Sequence, residues 1–185
     1  MARTAEQVLN LFGTEPCTSR LGAAQREALW LDMLGFIPAY TAFLTLGAVA
    51  LRRSGLALAL AAFTIFVLAG ALDEIEGLVM FRILAEMPGT PELFTGLFWT
   101  VRPKFALLGL GEIVLAAMLW RGPLLAKVAA GPMLAGGLAS LWFLFTAPYA
   151  PTMMKAHSYA WMALLIVAAV GSFQPLMVTR EAPRQ

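Results

Sequence analysis

Three carboxylates fall within four consecutive positions, 73–76, of one apolar stretch, LAGALDEIEGLVMFR, at residues 68–82. Asp73 and Glu76 are three residues apart, so on a helix they share a face, whereas Glu74 points in another direction. Carboxylates in this setting either begin a loop or form a polar site inside a membrane protein, because charge facing lipid is costly. We predict that Asp73 and Glu76 turn inward as part of a polar cluster.

Other ionisable residues are predicted to lie at the same depth in the membrane. Counted from the side of Arg52 and Arg53 at ~1.5 Å per residue, Asp32, Asp73 and Lys104 lie ~24–28 Å away. Four predicted helices contribute ionisable residues to this layer. The predicted ligand or ion-pair cluster consists of Asp32, Asp73, Glu76, Arg102, Lys104 and His157, with Tyr40 in support.

Three interpretations of this cluster remain open. The acids can face headgroup water, which Lys and Arg side chains also reach. The charges can form a structural ion-pair network, or they can form a functional site. Mixed charge at one depth favours a site, because opposite charges neutralise each other in a half-desolvated pocket. His157 is either a pH-sensitive member or an interfacial side chain facing water. No spacing motif supports a metal site, and we predict none.

Glu112 lies within LLGLGEIVLAAML and is predicted ~12 Å inside the membrane. A carboxylate at that depth costs at least ~2.5 kcal/mol unless it is protonated or paired. Thr64 matches this depth on the second predicted helix, so we expect a protonated Glu112 bonded to Thr64 or to a backbone carbonyl. Both a neutral structural acid and a proton-relay or ligand-binding acid fit this pattern.

The composition indicates a membrane protein. Of 185 residues, 60% are hydrophobic and 13% are charged, against about 25% charged in soluble domains. The single cysteine, Cys17, excludes an internal disulfide, and the single histidine excludes bis-histidine haem and multi-histidine metal sites. We predict no cofactor. The net charge of +2 suggests no nucleic-acid partner.

Five segments are apolar over the ~20 residues that cross a bilayer as a helix. These predicted spans are residues 30–51, 55–84, 94–120, 124–149 and 158–178. We therefore predict an all-α integral membrane bundle of about five transmembrane helices within residues 29–178. A polar N-terminal tail at 1–28 and a polar C-terminal tail at 179–185 flank it. In the first tail, TAEQVLNLF either stays solvated or forms an interfacial amphipathic helix with Val8, Leu9, Leu11 and Phe12 on one side.

The basic residues of the short first connection predict the orientation. Arg52 and Arg53 lie in a loop of a few residues, and such residues favour the cytoplasmic side. With five spans, the N-terminus would then be outside and the C-terminus cytoplasmic, in a plasma membrane or bacterial inner membrane.

The motifs LDMLGFIPAY, LDEIEG and VRPKF together resemble a pattern in small bacterial multi-pass membrane proteins. In those proteins the second motif usually has the form Asp-x-x-Glu-Asn, and here Gly77 replaces the Asn. The resemblance covers roughly the first 105 residues. It implies that Asp32, Asp73, Glu76 and Lys104 act as one set, and it implies no reaction.

These patterns support three hypotheses of function. The first is a protein that binds or translocates a small polar or lipidic ligand, a proton or a cation through the charged cluster, with Glu112 as a deeper protonatable step. The second is a non-catalytic accessory subunit of a larger membrane complex. The third is a lipid-modifying enzyme with Asp73 or Glu76 as general acid or base. No motif in the sequence identifies a catalysed reaction.

Overall fold

A computed structural model describes residues 4–146 and 151–174, and every element in these ranges is helical. The seven α-helices are α1 (Ala5–Phe12), α2 (Cys17–Leu31), α3 (Ile37–Ala50), α4 (Leu56–Ala85), α5 (Pro91–Leu119), α6 (Leu124–Thr146) and α7 (Pro151–Phe173). A π-helical segment at Asp32–Phe36 joins α2 to α3, and a 3-10 turn at Leu51–Ser54 follows α3. The all-α prediction is confirmed.

Four of the described helical segments are long and apolar enough to cross a membrane: Cys17–Ser54, Leu56–Ala85, Leu124–Thr146 and Thr152–Phe173. They correspond to four of the five predicted spans. The remaining predicted span forms α5, which carries Arg102, Lys104 and Glu112 and does not meet the same criterion. Asp73 and Glu76 lie inside the uninterrupted helix α4 and do not begin a loop.

Two helix boundaries differ from the prediction. Helix α2 begins at Cys17, so the second half of the predicted polar tail is helical and continues into the first span. Helix α7 begins at Pro151, seven residues before the predicted start of the fifth span. Proline suits the first turn of a helix, because it has no N–H to leave unpaired there. The predicted end of the fifth span and the C-terminal tail lie outside the described residues.

Helix α1 forms within the predicted amphipathic stretch. The Thr4 side chain caps it by accepting a hydrogen bond from the Gln7 N–H at 3.3 Å, and it ends at Gly13, whose positive φ of 71° suits glycine. Val8 and Phe12, one helical turn apart, are buried, while Leu9 and Leu11 are exposed. At ~100° per residue all four apolar residues still lie on one side of α1, as predicted, with the buried Val8 and Phe12 at its centre and Leu9 and Leu11 at its edges.

The chain divides into two compact units, whose boundaries fall within α3, α4 and α5. The first contains the described residues up to Thr41 together with Ala69–Lys104, and the second contains Ala42–Leu68 and the described residues from Phe105 onward. In the first unit, Trp30 of α2 packs against Phe81 of α4 with their ring centroids 5.0 Å apart. In the second unit, the core includes the fully buried side chains of Phe66, Leu115 and Met133.

Glycine allows two helices of the second unit to touch through their backbones. A Cβ built on Gly137 of α6 would lie 2.5 Å from the Gly109 carbonyl oxygen of α5, and one on Gly109 would lie 2.9 Å from the Gly137 carbonyl oxygen. Small residues permit such approach in membrane helices. These glycines therefore pack helices within the chain.

We expect Gly137→Ala to lower the free energy of unfolding by about 1–3 kcal/mol, because the added methyl group must push two backbones apart. Gly131→Ala on the same helix is the matched control, since nothing lies within 4 Å of its Cβ position. Thermal unfolding in detergent, followed by circular dichroism, measures both. Equal stability of the two variants would contradict the contact.

Candidate functional site

The first unit contains a buried cluster of charged side chains, which we call the Lys104 cluster: Tyr40, Asp73, Glu76 and Lys104. The Lys104 Nζ lies 2.7 Å from Asp73 Oδ1 and also donates to Glu76 Oε2. The Tyr40 hydroxyl donates to Asp73 Oδ2 at 2.7 Å. The side chains of Lys104, Asp73 and Glu76 are 7%, 14% and 8% exposed. Three helices thus contribute to one enclosed ionic site.

Small residues on α4 bring this helix close enough for Tyr40 to reach Asp73. A Cβ on Gly70 would lie 2.4 Å from Thr41 Oγ1, and one on Gly77 would lie 2.7 Å from Met33 Sδ. Gly77 therefore has a packing role beside Glu76. Asp73 and Glu76 share one face of α4, as their spacing predicts.

The π-helical segment adjusts the direction of the first span before Tyr40. In this segment the Ile37 N–H donates to the Asp32 carbonyl, five residues back. Pro38 follows at once, and its ring lacks an N–H and crowds the preceding turn, which accounts for the wider turn. Asp32 is half-buried and interacts electrostatically with Asp73 and Lys104, so it lies at the margin of the Lys104 cluster.

Arg102 is not part of the Lys104 cluster. Its guanidinium carbon lies 4.6 Å from the centre of the Phe98 ring, a cation–π arrangement within α5. No ion pair involves Arg102 in residues 4–146 and 151–174. Arg102 and Lys104 are two residues apart on a helix and therefore point in different directions.

His157 belongs to the second unit and pairs with Glu112. Its Nδ1 lies 2.7 Å from Glu112 Oε1, and the Trp161 Nε1–H donates to the same oxygen at 2.7 Å. Glu112 and His157 are 0% and 2% exposed. The placement of His157 with Asp73 and Glu76 is therefore wrong, because α7 begins early and carries His157 in its second turn.

The predicted partner of Glu112 is also wrong. Thr64 is exposed, and the hydrogen bonds of Glu112 go instead to His157 and Trp161. Trp161 is a site residue that the sequence analysis missed. Its spacing of four residues from His157 puts both rings on one face of α7, which is the pattern that would have indicated it.

Two polar atoms of the Glu112–His157 pair have no hydrogen-bond partner among the described residues: Glu112 Oε2 and His157 Nε2. Glu112 Oε2 faces α6, where a Cβ on Gly136 would lie 3.1 Å from it. The His157 ring stacks on Phe105 with centroids 5.8 Å apart. Buried polar atoms are almost always bonded, so these two atoms leave the pair with unused hydrogen-bonding capacity.

In the part of the chain that the structure describes, no three His, Cys, Asp or Glu side chains come together to hold a metal ion. Comparisons with protein-family models, with curated proteins and with solved structures found no match to this chain.

We expect Lys104→Met to destabilise the protein by about 3–5 kcal/mol, because it leaves two carboxylates buried without their cation. Arg102→Met is the matched control on the same helix and should change stability far less. Adding Asp73→Asn and Glu76→Gln to Lys104→Met should recover much of the loss. If Lys104→Met and Arg102→Met unfold at the same temperature in detergent, the cluster contributes no stability.

We expect Trp161→Phe to cost about 1–3 kcal/mol, because Glu112 loses a buried donor. The cost should shrink in a Glu112→Leu background, where no acceptor remains, so a double-mutant cycle isolates this hydrogen bond. Trp142→Phe, at an exposed tryptophan of α6, serves as the control. A cost that persists unchanged in the Glu112→Leu background would assign it to packing.

Proposed function

We propose that this chain is a membrane protein that binds and translocates protons, with the Lys104 cluster as the binding site. One observation carries the proposal: a single ammonium group lies between two carboxylates that are almost fully enclosed. With both acids ionised, this set has one negative charge in excess. Asp32 adds further negative potential at its margin.

An excess charge in an enclosed site is unfavourable, because low dielectric strengthens repulsion and desolvation is only partly offset. A proton on Asp73 or Glu76 would remove that excess while Lys104 keeps one partner. Loss of the proton would restore a site that attracts the next cation. Ionisable groups inside membrane bundles commonly serve such pathways.

The Glu112–His157 pair supports the same function from the second unit. Histidine side chains often act as proton shuttles. Here the imidazole contacts a carboxylate on one side, and its Nε2 has no partner among the described residues. This geometry suits a group that accepts a proton at one nitrogen and passes one on at the other.

We further propose that α5 is a fifth span. Its 29 residues correspond to ~44 Å of helix, more than the ~30 Å hydrocarbon core requires. Lys104 and Glu112, two of its charges, are buried within the protein and need not face lipid. With Arg52 and Arg53 cytoplasmic, the N-terminus would be outside and the C-terminus cytoplasmic, in a plasma or bacterial inner membrane.

The test is proton flux into liposomes that contain the purified protein and a trapped pH-sensitive dye. We expect Glu76→Gln to slow flux at least about tenfold, because a positioned acid contributes on the order of 10²–10⁴ to proton transfer. Glu74→Gln, two residues away and outside the cluster, should conduct like the wild type.

Equal flux for wild type and Glu76→Gln would contradict the proposal. Flux that requires sodium or potassium and leaves the internal pH unchanged would replace the proton by a small metal cation. Glu112→Gln tests the second unit separately, and unaltered flux in that variant would restrict the function to the Lys104 cluster.

A further inference from the structure

An apolar groove of about 390 Å³ lies on the second unit, between α3, α5 and α7. Its walls include Phe43 and Gly47 of α3, Leu119 of α5, and Leu164 and Ala168 of α7. The volume falls within the ~300–1,000 Å³ typical of ligand sites. Small residues, Gly47 and Ala168 among them, form part of its walls.

Positive charge lies at one end of this groove. Leu51, which follows the end of α3, and Leu119, the last residue of α5, are lining residues. Arg52 and Arg53 come directly after Leu51, and Arg121 comes two residues after Leu119. All three arginines are exposed. The one acid within the described residues of the second unit is Glu112, which is 0% exposed. No carboxylate there neutralises the arginines.

Two of these arginines are held at the groove end by backbone contacts. Arg121 Nη1 donates to the Ser54 carbonyl at 2.7 Å, and Arg52 Nη1 donates to the Val49 carbonyl at 3.1 Å. A guanidinium group has five N–H donors, so each arginine retains donors beyond these bonds. Arginine binds phosphate oxygens with paired, charge-assisted hydrogen bonds.

We propose that this groove binds an acyl chain of an anionic phospholipid, whose phosphate lies against Arg52, Arg53 and Arg121. Apolar walls that end at unneutralised arginines complement a molecule with an apolar chain and an anionic head. A second copy of the protein fits less well, because two-fold pairing through this groove would bring like-charged arginines together. This inference is independent of the proposed proton function.

The experiment is native mass spectrometry of the detergent-purified protein titrated with phosphatidylglycerol or phosphatidylcholine. We expect tighter binding of phosphatidylglycerol. The double variant with Arg52→Gln and Arg53→Gln should bind phosphatidylglycerol about 30-fold more weakly, because each basic residue contributes ~1 kcal/mol. Arg20→Gln with Arg26→Gln on α2, which removes the same charge from exposed positions, is the matched control and should bind like the wild type.

Two further variants separate the two halves of the site. Arg53→Gln alone should weaken phosphatidylglycerol about fivefold and phosphatidylcholine, whose net charge is zero, by less. Ala168→Leu, which fills the groove, should reduce the binding of both lipids. Equal affinity for the two lipids, wild-type binding by the Arg52→Gln and Arg53→Gln double variant, or a lipid-free dimer that Ala168→Leu dissociates would each overturn the proposal.

Discussion

Charge inside a helical membrane protein must be matched by charge or by hydrogen bonds, because neither lipid nor a packed core can solvate it. This constraint accounts for the arrangement of both units. In the first unit, Lys104 lies between Asp73 and Glu76, and Tyr40 donates to Asp73. In the second, Glu112 is enclosed with His157 and Trp161. Each buried ionisable group has a partner from another helix.

The two sites differ in which property stays unbalanced, net charge in one and hydrogen bonding in the other. The Lys104 cluster has no fully buried side-chain N or O atom without a hydrogen-bond partner, but it holds more carboxylates than ammonium groups. The Glu112–His157 pair balances acid against base, yet Glu112 Oε2 and His157 Nε2 lack partners in the described part of the chain. Excess negative charge favours the binding of a cation, and unused hydrogen-bonding capacity favours the binding of water or a proton carrier. The proposed proton translocation would use both.

Glycine makes these contacts possible, because charged side chains meet only where helices come close. Gly70 and Gly77 bring α4 against the first span beside Asp73 and Glu76, and Gly109 and Gly137 bring α5 against α6 beside Glu112. Small residues also line the apolar groove of the second unit, among them Gly47 and Ala168. Packing and chemistry in this protein therefore depend on the same small residues.

The sequence alone determined the helical class, four of the five predicted apolar spans and the shared face of Asp73 and Glu76, because apolar run length and helical period are local properties. Depth counting along helices also placed Lys104 with these acids. The same count gave a different partner for His157 from the one in the structure, because α7 begins seven residues earlier than predicted and His157 pairs with Glu112.

Only the tertiary structure decided which groups meet. Position along a helix predicts depth, but contact also requires the rotation and separation of neighbouring helices, which close-packed residues far apart in sequence determine. Thr64 matched Glu112 in depth and is exposed, whereas Trp161, 49 positions away, donates to it. Pairing of buried charge depends on helix rotation as well as on depth, and a single sequence does not specify that rotation.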